Sequence, residues 1–187
     1  METKSTELAT LGGRNLKRDT LAEGSQYLTF NLAGEEYGID ILKVQEIRGW
    51  MPVTKVPNAP TFVRGVMNLR GAIVPVIDLR LRFGLEAIEY TKVTVVIVVT
   101  VQSDSGNRII GMVVDGVSDV LNVNAADIQP SPDFGSAVHT EFINGLVTIE
   151  AGMVMLLDVD RLLSIDEMFA LEVVRSHEAR GAATLAA

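Results

Sequence analysis

The sequence predicts a mainly β fold, and three observations support this prediction. Hydrophobic residues make up 48% of the 187 residues but aromatic residues only 5%, so aliphatic and largely β-branched side chains must build the core, which favours strands. Most apolar runs are short and end at turn residues, as strands do. The chain also contains an internal repeat whose copies each hold about five short strands, enough for a small closed barrel. This length fits one domain or two small lobes.

Charge and composition exclude several functional classes. The chain has 16 Lys and Arg against 24 Asp and Glu, a net charge of −8, which opposes binding to the phosphate backbone of nucleic acids. It contains no cysteine, so it has no disulfide, thiol nucleophile or cysteine zinc site, and this composition fits a reducing cytosol. The first 25 residues lack the apolar segment of a signal peptide. The longest apolar run, 93–101, is far shorter than the roughly 20 residues of a membrane-spanning helix.

The N-terminal half begins with a polar segment and continues with a hairpin. Residues 1–25 are interpreted as a flexible tail or, in part, as a short helix through Leu8, Leu11 and Leu16. Residues 27–32 alternate in polarity, 33–36 supply turn residues, and 37–40 resume the alternation. This pattern predicts a β-hairpin.

The second half carries the most apolar strand. The near-continuous β-branched run 93–101 is typical of a strand that is buried on both faces, and the return strand 108–114 follows a turn. Asp78 and Asp158 each precede a short amphipathic stretch, so they are predicted to cap short helices. A longer helix is predicted at 165–174 and a flexible C-terminal tail at 175–187.

The repeat has two registers. Shifting the sequence by 80 residues aligns 62–79 with 142–159, and four of the 18 positions are identical. These pairs are Phe62/Phe142, Gly65/Gly145, Val74/Val154 and Asp78/Asp158. Upstream the shift is 73, where Gly38 aligns with Gly111, Val44 with Val117 and Glu46 with Asp119. The registers differ because the connection 51–61 in the first copy is shorter than 124–141 in the second.

Positions at which the copies differ are candidates for function. Arg70, beside a hairpin glycine, aligns with Glu150, and a guanidinium there could bind a partner's carboxylates or pair within its own lobe. The longer loop of the second copy contains Pro130, Pro132 and Phe134. Two prolines stiffen this loop, so Phe134 either anchors a partner or folds back onto its own barrel. Both interpretations stay open at this point for both residues.

Chemical motifs of enzymes are missing. The sequence has neither a phosphate-binding glycine loop nor a G-x-S-x-G nucleophile motif, and His139 and His177 have no neighbouring metal ligands. The residues therefore favour a binding protein over a catalyst. The competing classes are a small enzyme that uses the groove between the lobes and a nucleic-acid-binding barrel, which would need a basic, aromatic face.

Three segments resemble the CheW family of bacterial chemotaxis coupling proteins. They are EYGIDILKVQEIRG at 36–49, GVMNLRG at 65–71 followed by VPVIDLR at 74–80, and GMVVDGVSDV at 111–120. The resemblance runs from about residue 26 to residue 172. It implies a fold of two intertwined five-stranded SH3-like barrels with a groove between them. It also implies a CheW-like domain at 26–174, with a first lobe at 26–85, a second lobe at 90–164 and the helix at 165–174.

The resemblance implies a function as well. Members of this family have no catalytic activity and no cofactor. They join the cytoplasmic tips of methyl-accepting chemoreceptors to the regulatory domain of the histidine kinase CheA, in rings that are expected to include other CheW copies. A stand-alone coupler of this kind is cytoplasmic and associated with membrane-bound receptor arrays, without nucleic-acid binding or membrane insertion of its own.

Site residues carried over from the family fall into two groups. The implied receptor-binding residues are Val44, Glu46, Asn68, Arg70, Gly71 and Val95. The implied kinase-binding residues are Pro130, Pro132 and Phe134. Gln129 stands where the family pattern leads us to expect an arginine, which bears on ion pairing by that loop.

Overall fold

The computed structural model describes residues 24–103, 106–132 and 140–164, and the fold in these ranges is mainly β. Strands β1 to β10 are Ser25–Leu32, Glu35–Asp40, Val44–Gly49, Val63–Leu69, Ala72–Asp78, Val95–Ser103, Gly106–Val114, Gly116–Val123, Ile143–Ile149 and Gly152–Leu157. Helices α1 and α2 are Leu79–Arg82 and Val159–Leu162, and two short 3-10 helices span Ile41–Lys43 and Ala125–Asp127. The predicted hairpin is β1–β2, and the predicted doubly buried strand is β6.

The ten strands form two five-stranded sheets. One has the order β3-β6-β7-β5-β4, five strands that are consecutive in the sequence, and we call it the contiguous sheet. The other has the order β8-β1-β2-β10-β9 and draws on both ends of the described chain, so we call it the split sheet. The chain passes from the split to the contiguous sheet at Ile41–Lys43 and returns at Asp115. We call these two segments the crossings.

The two sheets exchange strands between the two sequence copies, as the family resemblance implied. In the split sheet β2 pairs in parallel with β10, and in the contiguous sheet β7, the repeat equivalent of β2, pairs in parallel with β5. The sheets therefore do not follow the predicted lobe ranges 26–85 and 90–164, since each range supplies strands to both sheets. The repeat aligns copies in sequence, and it carries no signal about which copy a strand pairs with.

The core has three parts, arranged by the period-two alternation of the strands. The largest cluster includes Phe30, Ile97, Val99 and Met112 and has members on strands of both sheets. A second cluster, with Val96 and other side chains on alternate positions of the same strands, belongs to the contiguous sheet. A third cluster belongs to the split sheet. Strand β6 contributes to the first two clusters, which confirms that both of its faces are buried.

Close backbone approaches explain one of the identical glycine pairs in the repeat. A Cβ built on Gly65 would lie 2.2 Å from the carbonyl oxygen of Thr54, and one on Gly145 would lie 2.7 Å from that of Gln129. In each copy the preceding connection makes an isolated bridge to the strand at this point, Thr54 to Val66 and Gln129 to Leu146. Glycine leaves room for the connection to cross the strand.

The predicted helix caps are confirmed. The carboxylate of Asp78 accepts a hydrogen bond from the Leu81 N–H, and that of Asp158 accepts from Asp160 and Arg161. The predicted helix 165–174, the tail 175–187 and residues 1–23 of the N-terminal tail lie outside the described residues. No helix in the described part of the chain is long and apolar enough to cross a membrane.

Candidate interaction surfaces

An ion-pair cluster lies at the edge of the contiguous sheet. The Arg70 Nη2 is 2.6 Å from the Glu46 Oε2, and the Arg48 Nε is 3.5 Å from the Glu46 Oε1. The Glu46 side chain is only 19% exposed, whereas that of Arg70 is 83% exposed. Glu46 therefore holds one end of a guanidinium whose remaining donors face solvent and can bind a partner's acceptors.

The position of this ion-pair cluster also bears on the shape of the contiguous sheet. Glu46 is on β3 and Arg70 directly follows β4, and these strands are the opposite edges of the contiguous sheet. A direct contact between side chains of the two edges requires the sheet to curl, in line with the predicted barrel. Sequence reasoning had left open whether Arg70 pairs within its own copy, and the structure shows that it does.

The turn that carries Arg70 is held by its neighbours. Arg70 and Gly71 both have positive φ angles, 52° and 92°, as the two central residues of a tight hairpin turn require. The Asn68 Oδ1 accepts a hydrogen bond from the Gly71 N–H at 2.8 Å. Asn68 and Gly71 thus position Arg70, because together they fix the backbone from which its side chain projects.

Val44 and Val95 lie on a different face from the ion-pair cluster. Both are half-buried against the core cluster shared by the two sheets. Glu46 pairs in register with Val98, a member of the contiguous sheet's own cluster. The predicted receptor-binding residues are therefore divided between the face of β3–β6 that packs on the shared core cluster and the outer turn of β4–β5.

Two exposed apolar residues near this surface were missed by sequence reasoning. Ile47 on β3 is 46% exposed and pairs in register with the buried Ile97, and Ile73 on β5 is 65% exposed beside the Arg70 turn. Their repeat equivalents Val120 and Met153 are also exposed. The repeat alignment could have found them, because an apolar residue at a solvent-facing strand position in both copies breaks the expected alternation.

The proline-containing loop of the second copy is described only at its start. Gln129 and Leu146 exchange two backbone hydrogen bonds of 2.8 Å, which fix the loop to β9. Pro130 and Pro132 follow and are exposed. Phe134 and His139 lie outside the described residues, so the kinase-binding interpretation of Phe134 stays a prediction.

A cavity of about 390 Å³ opens at the mouth of the split sheet, between its edge strands β8 and β9. Val123 and Val147, both buried, form part of its lining, and Asp127 supplies its one charged lining residue. The full lining is Leu121, Asn122, Val123, Ala126, Asp127, Gln129, Val147, Thr148 and Ile149.

Two clusters, which we call clamps, hold the crossings. In the first clamp, Arg80 on α1 makes two 2.7 Å bonds to the Asp115 carboxylate, which also accepts from the Ala33 N–H. In the second, the Lys43 Nζ is 2.6 Å from the Asp160 Oδ2, and the Gln102 N–H donates to the Asp160 Oδ1. In the repeat, Arg80 aligns with Asp160, and Asp115 aligns with a position next to Lys43. The helix residue is basic and the crossing residue acidic in the first clamp, and these charges are reversed in the second.

The first clamp perturbs the pKa values of its members. Burial raises the pKa of Asp115, but hydrogen bonds from Arg80 and the Ala33 N–H and the charge of Arg80 outweigh it, so the net pKa lies below its usual value of 3.8. The hydrogen bond to Asp115 raises the pKa of Arg80. Both shifts favour the charged forms, so this clamp is a stable ion pair at neutral pH.

The most buried carboxylate among the described residues has a structural role. Asp78 is 3% exposed, caps α1 and accepts a short hydrogen bond from the Tyr90 hydroxyl. Burial, followed by this hydrogen bond, raises the pKa of Tyr90 above its usual value. Both carboxylate oxygens of Asp78 are thus engaged within the fold. Among the described residues, no group of three or more His, Cys, Asp or Glu could hold a metal ion.

Comparisons with known proteins agree with this architecture. A family model described as CheW-like domain matches residues 26–167. The chemotaxis protein CheW of Klebsiella aerogenes is 49% identical over 155 residues, which cover 82% of this chain and 91% of that protein. The chemotaxis protein CheW of Rhizobium meliloti is 41% identical over 144 residues, covering 77% and 90%.

A solved structure supports the same relationship. The crystal structure of scaffolding protein TtCheW from Thermoanaerobacter tengcongensis is similar with a TM-score of 0.67 and 32% sequence identity, covering 74% of this chain and 92% of that one. Sequence and fold therefore agree over the strands that build both sheets. On these grounds, the chain belongs to the CheW-like family of chemotaxis scaffold proteins.

Proposed function

We propose that this protein is a non-catalytic adaptor that couples the cytoplasmic tips of chemoreceptors to the regulatory domain of the kinase CheA. The observation that carries the proposal is Arg70, an 83% exposed guanidinium that is held in place by Glu46 and by a turn fixed through Asn68. A cation fixed at one end and solvated at the other loses little entropy when a partner binds it. The protein would act in the cytoplasm, in arrays with receptors, the kinase and other copies of the family.

The proposed receptor surface combines two parts. The groove part contains Val44 and Val95, which present half-buried apolar area. The turn part contains Arg70, supported by Glu46, Asn68 and Gly71. Helical receptor tips would place apolar side chains in the groove and a carboxylate or carbonyl group at Arg70. An apolar centre with a charged rim is the usual anatomy of a protein interface.

The proposed kinase surface is the loop of Pro130, Pro132 and Phe134. Its support is the anchoring of Gln129 to β9 and the exposure of both prolines, which together place the loop start at the surface. Phe134 would enter a pocket of the kinase domain as an aromatic anchor. Since this loop follows β8 and Arg70 follows β4, the two surfaces belong to different sheets.

The first experiment reverses the charge of Arg70. We expect Arg70→Glu to weaken the free energy of receptor binding by about 1.5–3 kcal/mol, the scale of a charged hydrogen bond. Co-sedimentation with receptor-containing membranes measures this change. Folding should change little, because exposed ion pairs contribute about 0–1 kcal/mol. Thermal melts check the fold, and sedimentation with and without the kinase measures binding.

A double variant separates the two roles of Arg70. Arg70→Glu combined with Glu46→Arg restores an ion pair of reversed polarity. If receptors bind the Arg70 guanidinium, receptor binding stays weak in the swapped variant; full recovery of sedimentation would mean that the presence of an ion pair, and not a cation at position 70, is what receptors require. The matched control is Glu150→Arg at the equivalent turn of the second copy, which should leave receptor binding unchanged.

The second experiment concerns the kinase surface. Phe134→Ala should weaken binding to the CheA regulatory domain by about 2 kcal/mol and leave receptor binding within about 0.5 kcal/mol. A Phe packed in its own core would instead lower the free energy of unfolding by about 3–5 kcal/mol. A large fall in melting temperature would contradict the assignment of Phe134 to the kinase surface. Equal losses of kinase binding and receptor binding in a folded variant would contradict it as well.

A further inference from the structure

The mouths of the two sheets are built differently, and the repeat shows how. In the 73-residue register, Glu46, Arg48 and Trp50 of the first copy align with Asp119, Leu121 and Val123 of the second. Trp50 packs against the contiguous sheet's own core cluster and against Tyr90, with ring centroids 4.1 Å apart. The split sheet has the much smaller Val123 at this position, where the cavity of about 390 Å³ lies.

The charged residues near the two mouths also differ between the copies. In the first copy Arg70 and Arg48 pair with Glu46 beside Trp50. In the second copy the equivalent positions hold Glu150, Leu121 and Asp119, and Asp127 lines the cavity. The mouth of the contiguous sheet thus has a large apolar side chain beside cations, whereas the mouth of the split sheet has a cavity with apolar and polar lining residues and the carboxylate of Asp127. The first copy is therefore a template for the chemistry that fits the second: a large apolar side chain flanked by basic ones.

The described chain begins at this cavity. Gly24 immediately precedes β1, and a Cβ built on it would lie 3.1 Å from the carbonyl oxygen of Val123. Ser25 pairs in register with Val123, and Gln26 donates to the Asn122 side chain, and both partners line the cavity. Residues 1–23 therefore join the fold at the rim of the cavity.

The sequence of those residues contains the required chemistry. Residues 14–18 read RNLKR, with Leu16 flanked by three basic side chains. Leu16 lies eight positions before Gly24, a reach of at most about 28 Å for an extended chain. A tether of this length holds the segment near the cavity at an effective concentration of about a millimolar.

We propose that residues 14–18 dock at the mouth of the split sheet, with Leu16 in the cavity and the basic side chains at the carboxylates of Asp119, Asp127 and Glu150. The docked segment would place an apolar side chain flanked by basic ones at this mouth, as Trp50 and its neighbouring arginines do in the first copy. The mouth is then an intramolecular binding surface, separate from the Arg70 surface on the other sheet.

Cysteine crosslinking tests the docking directly, since the chain has no native cysteine. The variant Asn15→Cys with Thr148→Cys places one thiol in the segment and one in the cavity wall. The matched control is Asn15→Cys with Asn68→Cys, at the equivalent position of the first copy. Under mild oxidation we expect the first pair to form an intramolecular disulfide at least about tenfold faster, because docking concentrates the thiols.

Charge and cavity variants complete the test. Lys17→Glu with Arg18→Glu should reduce the crosslinking rate to that of the control pair, whereas Lys4→Glu, outside the proposed segment, should not. Val123→Trp should also reduce it by filling the cavity; if this variant does not fold, the charge variants still decide. Equal rates for both cysteine pairs, insensitivity to the charge reversal, or disulfides mainly between two chains would each overturn the proposal.

Discussion

The contiguous and split sheets arrange equivalent strands of the repeat in the same order, but they are stabilised differently. In the contiguous sheet, Trp50 packs against the sheet's own core cluster and the Arg70–Glu46 ion pair joins the edge strands. In the split sheet, the mouth is an open cavity and the equivalent turn carries Glu150. Positions that shape the backbone, such as Gly65 and Gly145, are the same in both. The comparison indicates that duplication retained the backbone constraints and that the surfaces diverged.

The largest expected effect tests the shared backbone constraint. Gly65→Ala should lower the free energy of unfolding by about 4 kcal/mol, because the new Cβ meets the Thr54 carbonyl oxygen at 2.2 Å and φ is 142°. Gly145→Ala should cost less, about 2–3 kcal/mol, because its Cβ meets the Gln129 carbonyl oxygen at a longer 2.7 Å and the movable Ile128 side chain at 2.5 Å. Urea unfolding measures both.

A third glycine separates strain from crowding. Gly152 has φ of 141°, nearly that of Gly65, but a Cβ there meets nothing within 4 Å. Gly152→Ala should therefore cost only the backbone strain, about 1–3 kcal/mol. If Gly152→Ala destabilises the protein as much as Gly65→Ala, the close approach of Thr54 is not what requires glycine at position 65.

An intermediate effect distinguishes the two clamps. Asp115→Asn should lower the free energy of unfolding by about 2–3 kcal/mol, because it removes the bidentate partner of the largely buried Arg80. Asp160→Asn should cost about 1 kcal/mol, since Lys43 makes a single contact and both side chains are about a quarter exposed. Equal costs in urea unfolding would show that the clamps do not differ in strength.

The smallest effect is the pH dependence of the first clamp. The folded-state pKa of Asp115 is below 3.8, so its contribution is complete above about pH 5 and is lost as the pH falls through that lower value. The stability difference between the wild type and Asp115→Asn should therefore be constant near neutral pH and shrink in acid. A difference that grows as the pH falls would reverse the sign of the assigned shift.

The sequence predicted those features that depend on residue type and local spacing. The caps at Asp78 and Asp158, the buried strand β6 and the duplication follow from such patterns, and the family motifs pointed to Arg70. Strand partners and long-range pairs could not be predicted from the residues alone. Arg80 and Asp115 lie 35 residues apart and are two charges among forty. Periodicity shows which face of a strand is buried, whereas its partner depends on the path of the chain.

That path has a consequence for how the protein folds. All five strands of the contiguous sheet lie between Val44 and Val114, so this sheet can form as soon as that stretch is available. Strand β1 pairs with β8 about ninety residues later, as Leu28 does with Val120. Such distant pairings are slow to form, and an unpaired hairpin exposes aggregation-prone edges meanwhile. During synthesis, the β1–β2 hairpin must wait beside a completed neighbour until the last strands arrive, so this interval is when the chain most needs chaperones.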